Sequence, residues 1–137
     1  MTSASPVALL IGNDNYDNLN PLEKARNDVC AVAQVLASAG IITKTVPNAR
    51  RDELVAALAW FHTEVQQRVG LIWFAGHGMS VDGKYLLMPV DAAAHSFSRD
   101  GIDVDHEIDL LTKNPHTRAA ASKKVNNNFA FIWSLLP

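Results

Sequence analysis

Leu71-Ile72-Trp73-Phe74-Ala75-Gly76-His77-Gly78 is the stretch on which the fold turns. Its first five residues are apolar without alternation, which suits a strand buried on both faces, as in a parallel sheet with helices on each side. The run then breaks on two glycines that flank a histidine. In an open parallel sheet, ligands bind outside the carboxyl ends of the strands. The stretch therefore suggests both an architecture and a position for chemistry.

The residues before it repeat the theme. Val7 to Gly12 is another short apolar run, followed by an Asn-, Asp- and Pro-rich loop from Asn13 to Pro21. Lys24 to Ala39 reads as a helix, with Val29, Val32, Ala33 and Leu36 at helical spacing and Gly40 as its stop. Ile41 to Val46 is rich in β-branched residues and reads as a second strand. Asn48 is placed to cap a second helix, Arg50 to Gln67, with Leu54, Leu58, Phe61 and Val65 on one face. The order is β-α-β-α-β, the pattern of a parallel sheet with covering helices.

Beyond the histidine, Met79 to Val90 contains Asp82-Gly83, a tight-turn signal, and is expected to form a hairpin beside the main sheet. Asp103 or Asp105 is expected to cap a shorter helix reaching Leu111. Asn114 to Asn128 reads as an exposed loop, and Phe129 to Leu136 as a fourth, central strand buried on both faces. The expectation is one α/β domain over residues 1–137. Its core is a parallel sheet with strands near 7–12, 41–46, 70–75 and 129–136, and helices lie on both faces. No internal repeat or linker divides it.

Composition narrows the function. With 48% hydrophobic residues and a formal net charge of -2, the chain has the material for a core, and its overall charge draws it to neither nucleic acid nor anionic lipid. Met1 to Pro6 contains no basic residue, and the apolar runs are well short of the roughly 20 residues that span a bilayer. A soluble, cytoplasmic protein with no nucleic-acid or membrane partner is expected. The single cysteine, Cys30, cannot form an internal disulfide. It falls within the apolar pattern of the first helix and is expected to be buried, where a thiol is inert.

His77 is the candidate working residue. Imidazole titrates near neutral pH, so it can take a proton from a nucleophile and return it to a leaving group. Gly76 and Gly78 leave room around it, and the Gly78 N–H is free of a side chain that would obstruct a developing oxyanion. The tripeptide alone equally describes a turn histidine between two flexible residues.

Four blocks in order extend the pattern. Ala8-Leu9-Leu10-Ile11-Gly12-Asn13-Asp14-Asn15-Tyr16 resembles the opening strand and loop of the metacaspase and paracaspase peptidases. Asn27-Asp28 resembles their substrate-pocket acid, and Ile72-Trp73-Phe74-Ala75-Gly76-His77-Gly78 their catalytic-histidine segment. Tyr85-Leu86-Leu87-Met88-Pro89-Val90-Asp91 resembles the segment that follows. The resemblance spans roughly residues 7 to 91 and is nearest to the compact paracaspase-type or bacterial caspase-like branch. It implies a caspase-like three-layer sandwich, a mostly parallel sheet with helices on both faces. It also implies a cysteine-type endopeptidase with a Cys-His dyad. His77 would be the base, the Gly78 amide would help the oxyanion, and Asp28 would line the pocket for Arg or Lys before the cut bond. On residue type alone, Asp28 also fits a solvated helix position.

In that family the nucleophilic cysteine follows the histidine by about 50 residues, at the end of the next core strand. Here that strand is Phe129 to Leu136, followed by Pro137, and the family's Asp-x-Cys is absent. Cys30 precedes His77 and lies on a helix. The chain is therefore expected to be the histidine-bearing part of such a domain, truncated on its carboxy-terminal side and inactive alone. Its last strand is expected to be an exposed edge that invites self-association or a carboxy-terminal, small-subunit-like fragment. The alternative is a non-catalytic caspase-fold module that binds or regulates a partner.

The remaining signals are weaker. Arg118, Lys123 and Lys124 suit either self-processing or, preferably, a solvated linker. Trp60 and Trp73 read as core. His62, His95, His106 and His116 lack metal-ligand spacing, and Gly12 opens no dinucleotide loop. No cofactor is expected. Calcium, to which some metacaspases respond, has candidate acids in Asp100, Asp103, Asp105 and Asp109, but these are more simply caps and helix-dipole partners.

Overall fold

The strand Val7–Gly12 (β1) is buried along all six residues because it pairs on both edges and is covered on both faces. The computed structural model describes residues 5–66, 68–93, 95–112, 117–123 and 128–135, with side chains described among residues 5–110 except 67, 94 and 108. After β1 come α1 (Ala25–Ser38), β2 (Ile42–Pro47), α2 (Arg51–Glu64) and β3 (Val69–Ala75). Then follow β4 (Gly78–Val81), β5 (Lys84–Leu87), α3 (Phe97–Asp100), β6 (Ile102–Asp103), α4 (Val104–Thr112), β7 (Thr117–Lys123) and β8 (Asn128–Leu135).

The main sheet has the order β2-β1-β3-β8-β7. β1 pairs in parallel with β2 and with β3, and Gly12 is in register with Ala75. The period of two along β1 divides the core. Val7, Leu9 and Ile11 face α2, where they pack with Leu54, Ala57, Leu58 and Phe61. Leu10 faces α1, against Ala25 and Val29. Helices thus cover opposite faces of a mixed sheet, the expected three layers. Leu54 and Phe61 are fully buried, and such side chains stabilise a fold by about 1.5–3 kcal/mol each. β2 lies at one end of the sheet with an exposed surface, where Lys44 and Pro47 discourage further pairing. The Lys44 ammonium sits 5.1 Å over the Trp60 ring.

β4, β5 and β6 form a separate antiparallel sheet. Its hairpin turns on Asp82 and Gly83, with φ of 50° and 77°. Two consecutive positive φ values match the twist of a two-residue hairpin. Asp103 caps α4, its Oδ1 accepting from the Asp105 and His106 backbone N–H groups at 3.0 and 3.3 Å. His62 on α2 meets Glu107 on α4 at 2.7 Å.

Several expectations are corrected. β8 runs antiparallel to β3, so the fourth strand does not extend the parallel ladder. It is also no edge, because β7 pairs with its other side. β7 occupies part of the stretch read as a loop. Arg118 and Lys123 belong to this strand, in register with Ser134 and Phe129. β7 runs the same way as β1, β2 and β3, so four of the five strands share a direction. The burial of the Phe129–Leu136 side chains, Lys124 and His116 lie outside the described residues. Cys30 is exposed. Only Ala25 and Val29 of α1 are buried, and one residue past Val29 the helix has turned about 100° away from the sheet. Trp60 and Trp73 are half-buried at the margins of the core. Asn48 does not cap α2, whose first free N–H, on Arg51, is taken by Asp91 Oδ1 at 2.9 Å.

Candidate active site

β1 and β3 end level with one another, so the chain leaves both strands at the same carboxyl edge of the sheet. The Asn13 N–H continues the ladder, donating to the Ala75 carbonyl at 2.8 Å. Its side chain is fully buried and ties three segments together. Asn13 Oδ1 accepts from the Ala49 N–H at 2.7 Å, and Nδ2 donates to the Met88 carbonyl at 3.2 Å. Asn48, held at φ 48°, turns its Oδ1 to the backbone N–H groups of Asp14 and Asn15, 3.1 Å each. A single asparagine at left-handed φ thus fixes the start of the β1–α1 loop, a conformation its short polar side chain tolerates.

That loop, residues 13–24, is anchored along its length. Asp14 is almost inaccessible, at 8% side-chain exposure, and the Arg26 Nε approaches its carboxylate at 2.9 Å. The Leu22 N–H donates to the Asp14 carbonyl, and the Asp17 N–H to the Val90 carbonyl. Asn18 Nδ2 donates to the Ala92 carbonyl at 3.1 Å.

His77 meets this loop twice. The Tyr16 hydroxyl accepts from the His77 backbone N–H at 2.8 Å, and the Tyr16 ring stands edge-on to the imidazole at 4.7 Å between centroids. At the far side of the ring, Nε2 lies 2.7 Å from the Asn20 carbonyl oxygen. A carbonyl only accepts, so Nε2 carries the hydrogen, and in the neutral ring the lone pair sits on Nδ1. An imidazole held in this tautomer can accept a proton through Nδ1. The ring is half-buried and open to approach.

Gly76 is required by this arrangement rather than by the imidazole. A Cβ there would lie 2.6 Å from the Tyr16 hydroxyl oxygen and 2.9 Å from Phe74 Cζ. Burial pushes the Tyr16 phenol well above its ordinary range, which keeps the hydroxyl protonated and able to donate to the Met88 carbonyl at 3.2 Å. Gly78 opens β4 opposite Leu87.

Asp28 lies half-buried in the first turn of α1, just past the loop, and makes no ion pair among the described residues. No hydrogen bond joins it to His77. Cys30 lies on the exposed side of the same helix, with no hydrogen bond to His77. Among the described residues no group of three or more His, Cys, Asp or Glu is placed to hold a metal ion. Asp100 is occupied by the Ala93 N–H and the Ser96 hydroxyl, which hold its carboxyl below the usual carboxylate range. Among the described residues no helix is long and apolar enough to cross a membrane.

Asn20 escaped the sequence reading, Asn48 entered it only as a helix cap, and Tyr16 only as a member of a motif. Asn20 contributes a backbone atom, which no residue type signals. The available clue was the twelve-residue length of the β1–α1 connection, long for a loop of this kind and often functional.

The family model for the caspase domain of the C14 peptidases matches residues 5–117. No curated protein matches the chain.

Proposed function

This chain belongs to the caspase-domain family of C14 peptidases, and from that premise we propose that it is the histidine-bearing part of a cysteine-type endopeptidase of the metacaspase and paracaspase kind. The observation that carries the reading is the imidazole of His77, pinned through Nε2 to the Asn20 carbonyl with Nδ1 left to accept a proton. Nδ1 would draw the proton from a thiol as sulfur attacks the scissile carbonyl, then return it to the leaving amine as the acyl-enzyme forms. The Gly78 N–H would stabilise the oxyanion. Asp28, acidic and half-buried in the first turn of α1, would receive an Arg or Lys side chain before the cut bond.

A second reading has its own support. The one cysteine is Cys30, on α1 rather than at a strand end. On this reading the chain is a non-catalytic caspase-fold module that binds or regulates a partner. A cytoplasmic setting suits either reading.

Titrating the labelled chain with peptides carrying Arg, Lys or Asp at the recognition position tests both. The Arg and Lys peptides should perturb the Asp28 and His77 resonances and the Asp peptide should not, with the effect lost in Asp28→Asn. Reporter peptides should remain uncut. No Arg-dependent perturbation would overturn the pocket assignment. Turnover abolished by Cys30→Ala would overturn the claim that the chain is inactive alone.

A further inference from the structure

We infer that the Tyr16 hydroxyl is a wedge in the β4–β5 ladder that positions His77, a role that rests on reading His77 as the base. Gly78 and Leu87 are partners in that ladder, so the next pair outward is His77 with Met88. In an antiparallel sheet, a hydrogen-bonded pair exchanges two N–H···O=C bonds. Here only one is made directly, from the Met88 N–H to the His77 carbonyl at 3.0 Å. The reciprocal bond runs through the phenol. The His77 N–H donates to Tyr16 Oη at 2.8 Å, and the hydroxyl donates to the Met88 carbonyl at 3.2 Å.

The inserted oxygen holds the two backbones apart just where β3 hands over to β4. The imidazole then leaves the corner toward the Asn20 carbonyl instead of following the small sheet. Three features support the insertion. Gly76 has no Cβ where one would meet the hydroxyl. Asn13 Nδ2 shares the Met88 carbonyl at 3.2 Å, so both lone pairs of that oxygen are used from the loop side. The edge-on Tyr16 ring flanks the imidazole itself, so a single residue touches both the backbone and the ring of His77.

The test compares the wild-type chain with Tyr16→Phe, which keeps the ring and removes the oxygen. Long-range proton–nitrogen correlations read the tautomer of His77, and hydrogen exchange reads its amide. In wild type, the Nε2–H form should dominate. In folded Tyr16→Phe, protection of the His77 amide should fall about tenfold, the scale of one hydrogen bond, and the ring should give a mixture of tautomers. If Tyr16→Phe does not fold, a ring-fluorinated tyrosine at position 16 gives the tautomer readout in a folded chain, because raising the pH ionises its more acidic phenol and removes the proton donated to Met88 while the oxygen still accepts from the His77 N–H. Its ionisation should shift the tautomer balance. A His77 ring that stays in the Nε2–H form overturns the proposal in either variant, and so does unchanged amide protection in folded Tyr16→Phe. Neither readout needs a nucleophile. Failure to bind Arg peptides would therefore sink the peptidase reading and leave the wedge standing, whereas an indifferent His77 would do the reverse.

Discussion

His77 Nε2 is held at 2.7 Å by the carbonyl oxygen of Asn20, a residue 57 positions earlier in the chain. The contact uses the backbone of Asn20 and not its side chain, so it depends on where the loop runs. Asn20→Ala should leave the Nε2–H tautomer unchanged. Deleting Asn18 and Leu19 should remove it, because the Asn18 bond to the Ala92 carbonyl is part of what sets the loop's path. Nitrogen shifts of the His77 ring distinguish the outcomes, and a tautomer change in Asn20→Ala would show that the side chain matters after all.

Gly76→Ala should destabilise the chain by about 1–3 kcal/mol, the range for forcing extra volume into a packed site. The new Cβ would press on the Tyr16 hydroxyl at 2.6 Å and on Phe74 Cζ at 2.9 Å. Phe74 is fully buried and has little room to retreat. Thermal or denaturant unfolding measures the loss, and a neutral result would mean that the corner relaxes more readily than its packing implies.

The fold was legible wherever one residue's pattern carried the information. β1, β2 and β3 follow from apolar and β-branched runs, and the hairpin from Asp82-Gly83, because strand burial and turn chemistry are local properties. The direction of β8 was not legible. A continuous apolar run describes burial on two faces and is silent on which way the strand points, so the antiparallel pairing with β3 had to come from tertiary context. β7 was missed because Thr117 to Lys123 is small and polar, a composition that suits a loop as well as a strand at a sheet end. At the site, His77 stood out by its place after β3. Asn13 and Asn48 did not, since the backbone groups they satisfy belong to segments tens of residues away.

Cys30 sits on the open side of α1, so it should react with a disulfide reagent in the folded state at nearly the rate seen in denaturant. Cys30→Ser should change stability by no more than about 0.5 kcal/mol, as for ordinary surface positions. Absorbance of the released thiolate follows the first and chemical denaturation the second. A strongly protected thiol would restore the burial read from the helix pattern.

Asp14 and Arg26 should respond unequally to substitution. Arg26 is 55% exposed and its charge is well solvated, so Arg26→Ala should cost little, within the range of about 0–1 kcal/mol for exposed pairs. Asp14 is 8% exposed and also takes the Arg26 backbone N–H at 3.3 Å, at the start of α1. Asp14→Ala should cost more, about 1–3 kcal/mol, because it removes a buried carboxylate and leaves the part-buried Arg26 backbone N–H at the start of α1 without its acceptor. Equal losses in the two variants would place the stabilisation in the ion pair alone.

Stability should fall on the alkaline side in a way that depends on Tyr16. Burial raises the phenol in the folded chain, while in the unfolded chain it ionises near its ordinary value of about 10. Above that pH the unfolded state sheds a proton that the folded state keeps, and stability drops as pH rises wherever the unfolded state binds fewer protons. The contribution is therefore complete below about pH 10 and is lost as pH climbs toward the folded-state value. Tyr16→Phe has no phenol to ionise. It should be less stable than wild type at neutral pH, having lost the bonds to His77 and Met88, yet it should decline less steeply between about pH 10 and 11.5. Urea unfolding across that interval gives both slopes. Parallel curves for the two proteins would show that the Tyr16 hydroxyl reaches solvent, and would weaken the case for a neutral phenol wedged between His77 and Met88.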